Sequence, residues 1–267
     1  VRRLAALVAA CCFGLSAQTA QERGRKIVMD SLAALGGECF RAVVDRVESG
    51  RAYSFYREQV SGLAQAVIYT RYLPADLAAR EGIAVRERQS FIQDKKEREI
   101  SAILFTGGAG YEITFRGARP LPADTVERYK ISTRKNILYI LKTRLDEPGM
   151  IFEHRGMEVY INQPVDVVDV VDAQNEVVTV YFHQSTKFPV RQVFYRRDPQ
   201  TRARIEEVTE YGRFRDVGEG VFWPHTILRY RDGIKIYEMY SESVQINQKL
   251  SESLFILPTG IKILKPL

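Results

Sequence analysis

DTVERYKISTRKNILYILKTR, residues 124–144, is the stretch on which the fold turns. Val126, Tyr129, Thr133, Ile137, Ile140 and Leu141 recur at spacings of three and four, the period of a helix with one apolar face. Asp124 is a suitable N-cap residue, and Glu127 three positions later completes a capping-box-like pair. Pro148-Gly149 lies just past the expected end at Arg144. The spacing therefore predicts one helix over Asp124–Arg144. Its stripe is apolar enough to need a partner.

On both sides of this helix the period changes from about 3.6 to 2. Tyr111, Ile113 and Phe115 alternate with Glu112, Thr114 and Arg116, and Val178, Val180 and Phe182 alternate with Thr179, Tyr181 and His183. That is the pattern of half-buried strands. Turn signals recur at Ser49-Gly50, Gly107-Gly108, Arg155-Gly156, Gln174-Asn175, Asp198-Pro199 and Asp232-Gly233. The last, between Tyr230 and Ile234, is the strongest hairpin signal. Roughly a dozen strands with short connections imply antiparallel pairing, because parallel pairing needs long crossovers. Val67–Tyr72 and Val165–Val171 are apolar on both faces, as in a curved sheet covered on both sides. A large antiparallel sheet tends to curl, and a helix across its concave face buries both partners. The expected class is mainly antiparallel β (α+β), an open curled sheet covered by an N-terminal and a mid-chain helix.

The N-terminal helix is expected over Glu22–Leu35, with Ile27, Val28, Ser31, Leu32 and Leu35 on one face and Gly36-Gly37 as the stop. Before it, Arg2-Arg3, an uncharged run from Leu4 to Leu15 and Ser16-Ala17 make a secretory leader over residues 1–17. Its apolar run is shorter than the roughly 20 residues a span requires. Val8-Ala9-Ala10-Cys11 also fits a lipobox, so lipidation at Cys11 stands beside cleavage after Ala17 as an alternative. Residues 18–267 are expected to form one domain. After cleavage Cys39 is the lone cysteine, expected as a small buried hydrophobe. Lys and Arg exceed Asp and Glu by 39 to 33, a charge of +6 that falls to near +4 without Arg2 and Arg3. The charges are scattered, and no nucleic-acid site is read.

Catalytic chemistry leaves no trace in the pattern. His154, His183 and His225 have no metal-ligand spacing, no Gly-x-Ser-x-Gly elbow occurs, and Gly107-Gly108-Ala109-Gly110 lacks the Lys-Ser/Thr of a phosphate loop. No cofactor, metal or enzymatic activity is expected. A concave apolar site between helix and sheet is the natural place for a hydrophobic ligand. Ile137, Ile140 and Leu141 are expected to face it from the helix as a lid, with Phe115, Phe182 and Trp223 as further lining residues.

Four stretches carry a resemblance to a known family. They are the helix ending Ala34-Leu35-Gly36-Gly37, the mid-chain helix between groups of strands, the pair Lys187–Val193 and Tyr211–Val217, and Gly220–Pro224 with the terminal Phe255–Gly260. Together they resemble the periplasmic carriers that sort outer-membrane lipoproteins, the LolA/LolB-like superfamily, of which this chain looks like a divergent member. It is longer than the typical carrier around Ala75 to Lys96. The resemblance implies a half-open β-barrel whose mouth is covered by helices and whose apolar cavity holds the acyl chains of a lipid or lipoprotein. It implies a periplasmic carrier as the function, with inner- or outer-membrane sorting machinery as further partners. No arginine here is assigned the role that closes the family's soluble carrier. The alternative is an envelope module that uses the same fold to bind a protein. An apolar cavity under the helix would mark the carrier; a filled interior with an exposed apolar patch or free strand edge would mark the protein-binding module.

Overall fold

A computed structural model describes residues 18–93 and 98–266; the expected leader and Cys11 lie outside the described residues. Among the described residues, thirteen strands form one sheet in which all the strand-to-strand pairings are antiparallel. The first meander comprises β1 (Asp45–Tyr56), β2 (Gln59–Tyr72), β3 (Val85–Gln93), β4 (Arg98–Thr106), β5 (Ala109–Thr114) and β6 (Gly117–Pro120). The second comprises β7 (Ile151–Tyr160), β8 (Gln163–Val171), β9 (Val177–His183), β10 (Pro189–Arg197), β11 (Arg204–Asp216), β12 (Phe222–Arg231) and β13 (Ile234–Ile246). The spatial order runs β6-β5-β4-β3-β2-β1-β13-β12-β11-β10-β9-β8-β7. Pairing of β1 with β13 joins the meanders at the centre, while β6 and β7 are opposite edges and do not pair with each other. The sheet is therefore curled but not closed.

This topology explains the mid-chain helical segment. The chain leaves the sheet at one edge, β6, and re-enters at the other, β7. Residues 121–150 must cross between the two edges, and they do so over the concave face.

The helices are α1 (Ala20–Leu35), α2 (Glu38–Ala42), α3 (Ala75–Glu81), α4 (Ala123–Arg134) and the single turn α5 (Ile137–Tyr139), which runs into a π-helical turn, Ile140–Arg144. Helix α1 begins two residues before the expected Glu22 because Thr19 caps it. The Glu22 amide donates to Thr19 Oγ1 (3.1 Å) and the Thr19 amide to Glu22 Oε2 (2.8 Å), a reciprocal box. Val28, Leu32 and Leu35 are buried as the period predicts. The helix lies directly on β7: a Cβ at Gly24 would sit 2.3 Å from the Phe152 carbonyl oxygen.

Five expectations need correction. The mid-chain helix is two pieces, broken at Lys135-Asn136. Its first piece is entered from Pro122 with no side-chain cap, so Asp124 and Glu127 form no box. Ser49-Gly50 and Arg155-Gly156 are not turns but sites where the register of β1 and β7 shifts. At Gly50 a side chain has no room, since a Cβ would lie 2.0 Å from the Tyr240 carbonyl oxygen. Such bulges bend a strand and increase its twist, as a curling sheet requires. The sequence around Ala75 holds a further helix, α3. Cys39 is exposed on α2, where the neighbouring Phe40 takes the buried position.

The main core lies between the concave face and the helices. Val28, Leu32 and Leu35 of α1 meet Ile137, Leu138, Ile140 and Leu141 over Val168, Val170, Val178, Val180, Phe182 and Phe194. The edges are treated differently. The C-terminal tail pairs along β6, the Ala118 amide donating to the Lys262 carbonyl (2.9 Å) and the Leu264 amide to the Ala118 carbonyl (2.8 Å). Edge β7 is covered by α1 near Phe152, but Met157, Val159 and the following Ile161 remain exposed.

Candidate ligand site

Five of the six expected lining residues come together. Ile137, Ile140, Leu141, Phe182 and Trp223 belong to one buried cluster. Phe115 does not join them. Strand β5 ends at Thr114, so the alternation that buries Ile113 stops there, and Phe115 is 85% exposed in the turn to β6. The five are packed against one another rather than around a void: Ile137 and Leu141 have no exposed surface and Ile140 has 1%. The helical segment plugs the concave face with its own side chains.

The plug is capped and clasped as a unit. At the break, Asn136 is extended, and its Oδ1 accepts from the amides of Leu138 (2.9 Å) and Tyr139 (3.4 Å). An asparagine at this position starts a new helix rather than continuing the old one. Gln192 of β10, 1% exposed, reads the same break. Its Oε1 accepts from the Ile137 amide (2.8 Å) and from the Tyr211 hydroxyl (2.8 Å), and its Nε2 donates to the Lys135 carbonyl (3.2 Å). Burial raises the pKa of the Tyr211 hydroxyl, which stays a donor at all ordinary pH values.

The far end of the plug is held by charge. Arg144 donates to the Glu147 carboxylate, to Asp172 (3.2 Å) and to the Arg134 carbonyl (2.8 Å), tying both helical pieces to the β8–β9 turn. The Lys142 ammonium donates to the carbonyls of Phe40 (3.3 Å) and Arg41 (2.5 Å) and lies 4.3 Å from the centre of the Tyr72 ring. Burial, with the neighbouring Arg41 charge, lowers its pKa from 10.5 to about 8. Lys142 and Arg144 both lie on the π-helical turn, a geometry that is rare and frequent at functional sites.

Two cavities flank the plug and share Gly82, Arg134 and Arg144 in their walls. One, about 810 Å³, has a mixed wall of small apolar side chains and the charged Arg41, Arg134, Lys142, Arg144 and Glu147. Val43 and Val44 follow α2, Ala75, Ala78 and Ala79 come from α3, and Ile83 and Tyr139 complete much of the wall, with Lys142 at the side of the plug. This volume is within the range of small-ligand sites, roughly 300–1,000 Å³. The other, about 1180 Å³, lies between α4 and the β10–β11 hairpin and is strongly basic. No motif in the sequence marks either cavity. Alanines at 75, 78 and 79 do have the spacing of one helix face. The three histidines serve local roles: His154 pairs with Asp166 (3.2 Å), His183 accepts from the amides of Ser185 and Thr186, and His225 contacts the Trp223 carbonyl.

Solved structures share this architecture. An outer-membrane lipoprotein-sorting protein domain from Vibrio parahaemolyticus matches over 88% of this chain and 97% of its own, with a TM-score of 0.56 at 13% identity. The fold is that of the lipoprotein-sorting proteins. A LolA superfamily protein from Nitrosomonas europaea matches over 87% and 97% (TM-score 0.51, 11% identity). A DUF1329 family protein from Desulfovibrio piger matches over 89% and 98% (TM-score 0.59, 9% identity). At these identities the likeness is one of fold. No family model matches the sequence, and no curated protein does. In this chain that fold carries the clasped plug and the two cavities beside it.

Proposed function

We propose that the protein is a periplasmic carrier that holds the acyl chain of a lipid or lipoprotein and works in outer-membrane lipoprotein sorting. One observation carries the reading: an apolar concave face is closed by a separately capped segment, Ile137–Arg144, beside a cavity of about 810 Å³ whose wall includes Val43, Val44, Ala78 and Ile83 together with basic side chains. A chain entering that cavity meets the plug at Tyr139 and Lys142. Displacement of the plug would then expose Ile140, Leu141, Phe182 and Trp223 as a continuous apolar surface. The energy is adequate without charged contacts, because each buried methylene contributes about 0.8 kcal/mol. The likeness in fold to lipoprotein-sorting proteins supports the same role.

The test is a titration with a fluorescent fatty-acyl probe. Saturable binding is expected, and Ala78→Asp, which places a charge in the wall of this cavity at a half-buried position, should weaken it at least tenfold while leaving the fold intact. Failure of the parent protein to bind the probe would remove the reading.

A second reading has its own observation. The space under the helix is filled in this conformation, and the uncovered half of edge β7 carries exposed Met157, Val159 and Ile161, the pattern expected for the protein-binding module rather than for the carrier. An exposed apolar edge strand is a template for adding a partner's strand. This is the envelope protein-binding module, and Val159→Arg would abolish its complex while leaving acyl binding unchanged.

A further inference from the structure

The basic cavity needs a different occupant. Eight basic and four acidic side chains line it. Asp124, Asp172 and Glu176 pair with Arg128, Arg144 and Lys135 inside the wall, leaving Glu127 as the one lining acid without an ion pair among the described residues. Arg196 is taken by Glu207 (2.9 Å). Lys130, Arg134, Arg197 and Arg204 have no ion-pair partner among the described residues.

These four are arranged against their own repulsion. Lys130 and Arg134 are four residues apart on α4, a like-charge spacing that destabilises a helix. Arg197 and Arg204 are direct register partners at the end of β10–β11, where like charges also destabilise. Asp198, the acid nearest in sequence, is used by its own turn, accepting from the amides of Gln200 (3.0 Å) and Thr201 (2.8 Å) and from the Thr201 hydroxyl. The Arg204 guanidinium is held 3.6 Å from the centre of the Tyr195 ring, which orders one of the four donors before any ligand arrives. Two unfavourable cation pairs on separate elements thus face one cleft of about 1180 Å³.

We propose that this cleft binds a multiply charged phosphate-type anion through Lys130, Arg134, Arg197 and Arg204. An anion between the pairs converts both repulsions into attraction, and the arginines match its oxygens in a two-pronged geometry. The group is either a free polyphosphate or a phosphate-bearing lipid head. The assignment is separated from the acyl-chain reading by Arg197→Gln/Arg204→Gln, whose residues line this cleft alone, whereas Arg134 lines both cavities; an uncharged acyl probe should bind that variant as it binds the parent.

The experiment compares two probes: tripolyphosphate in calorimetry at low salt, and co-sedimentation with phosphatidylcholine vesicles with and without phosphatidylglycerol. The proteins are the parent, Arg197→Gln/Arg204→Gln, Lys130→Gln/Arg134→Gln, and a remote control of equal charge change, Arg23→Gln/Arg57→Gln. Either cleft double should weaken binding about tenfold or more, the remote double about twofold or less, and added salt should weaken the parent. Without ligand, Arg197→Gln/Arg204→Gln should melt no lower than the parent, because it removes a like-charge pair. Should that variant fail to fold, the α4 double carries the same test. Binding of tripolyphosphate assigns the free anion. Binding only of vesicles containing phosphatidylglycerol assigns the lipid head. Binding of neither, or equal weakening by the remote double, overturns the proposal.

Discussion

Replacing Gln192 with alanine tests whether the plug opens separately from the sheet. The substitution strips three hydrogen bonds at once, leaving the Ile137 amide, the Lys135 carbonyl and the Tyr211 hydroxyl without partners beside a residue that is 1% exposed. An unsatisfied buried polar group costs about 1–3 kcal/mol. Three of them at the low end give about 3 kcal/mol, or roughly a hundredfold in an opening equilibrium. The assay is amide hydrogen exchange read over residues 138–144 and over β10–β11. In the parent, the plug amides should exchange faster than the strand amides, reporting a local opening below the free energy of global unfolding. In Gln192→Ala the plug amides should exchange about a hundredfold faster still. Plug amides that exchange no faster than the strands in the parent would refute the separate plug. Plug amides unmoved by the substitution would refute the clasp.

Other outcomes follow from the same geometry. Leu141→Ala should lower stability by about 2–5 kcal/mol in denaturant unfolding, because Leu141 is fully enclosed in the main cluster. Lys142 is depressed to about 8 in the folded protein from an ordinary value of 10.5. The unfolded chain therefore binds more protons between those values, and stability rises with pH across that window. It is lost as pH falls through about 8, and Lys142→Met should flatten this part of the stability profile. Gly24→Leu should separate α1 from β7, since even a Cβ meets the Phe152 carbonyl at 2.3 Å; thermal melting and exchange at β7 would show it.

Much of the fold is legible because strand and turn signals are local. Asp232-Gly233, Gln174-Asn175, Asp198-Pro199 and Gly107-Gly108 all fall in connections between adjacent strands. Ser49-Gly50 and Arg155-Gly156 misled because glycine serves bulges as well as turns, and only the partner strand decides which. The break at Asn136 left a signal, since asparagine caps helices, but unbroken apolar spacing masked it. Helix α3 also left signals: Asp76 lies in its first turn and Gly82 just past its end, left-handed at φ 70°. Phe115 was placed inward by alternation that ends one residue earlier. The candidate site was only half legible. Ile137, Ile140, Leu141, Phe182 and Trp223 converge as their apolar character suggests. The basic cleft draws Lys130 and Arg134 from α4 and Arg197 and Arg204 from a hairpin some sixty residues further on. Only the crossing of the helical segment from one sheet edge to the other brings them together.

The central claim is that an acyl chain is held beside or beneath the plug. Mass spectrometry of lipids that co-purify with the protein, paired with displacement by a fatty-acyl probe, tests it most directly. Bound acyl lipid is expected in the parent, displaced by the probe and lost from Ala78→Asp. Protein that purifies without lipid and binds no probe, while still folded, would contradict it.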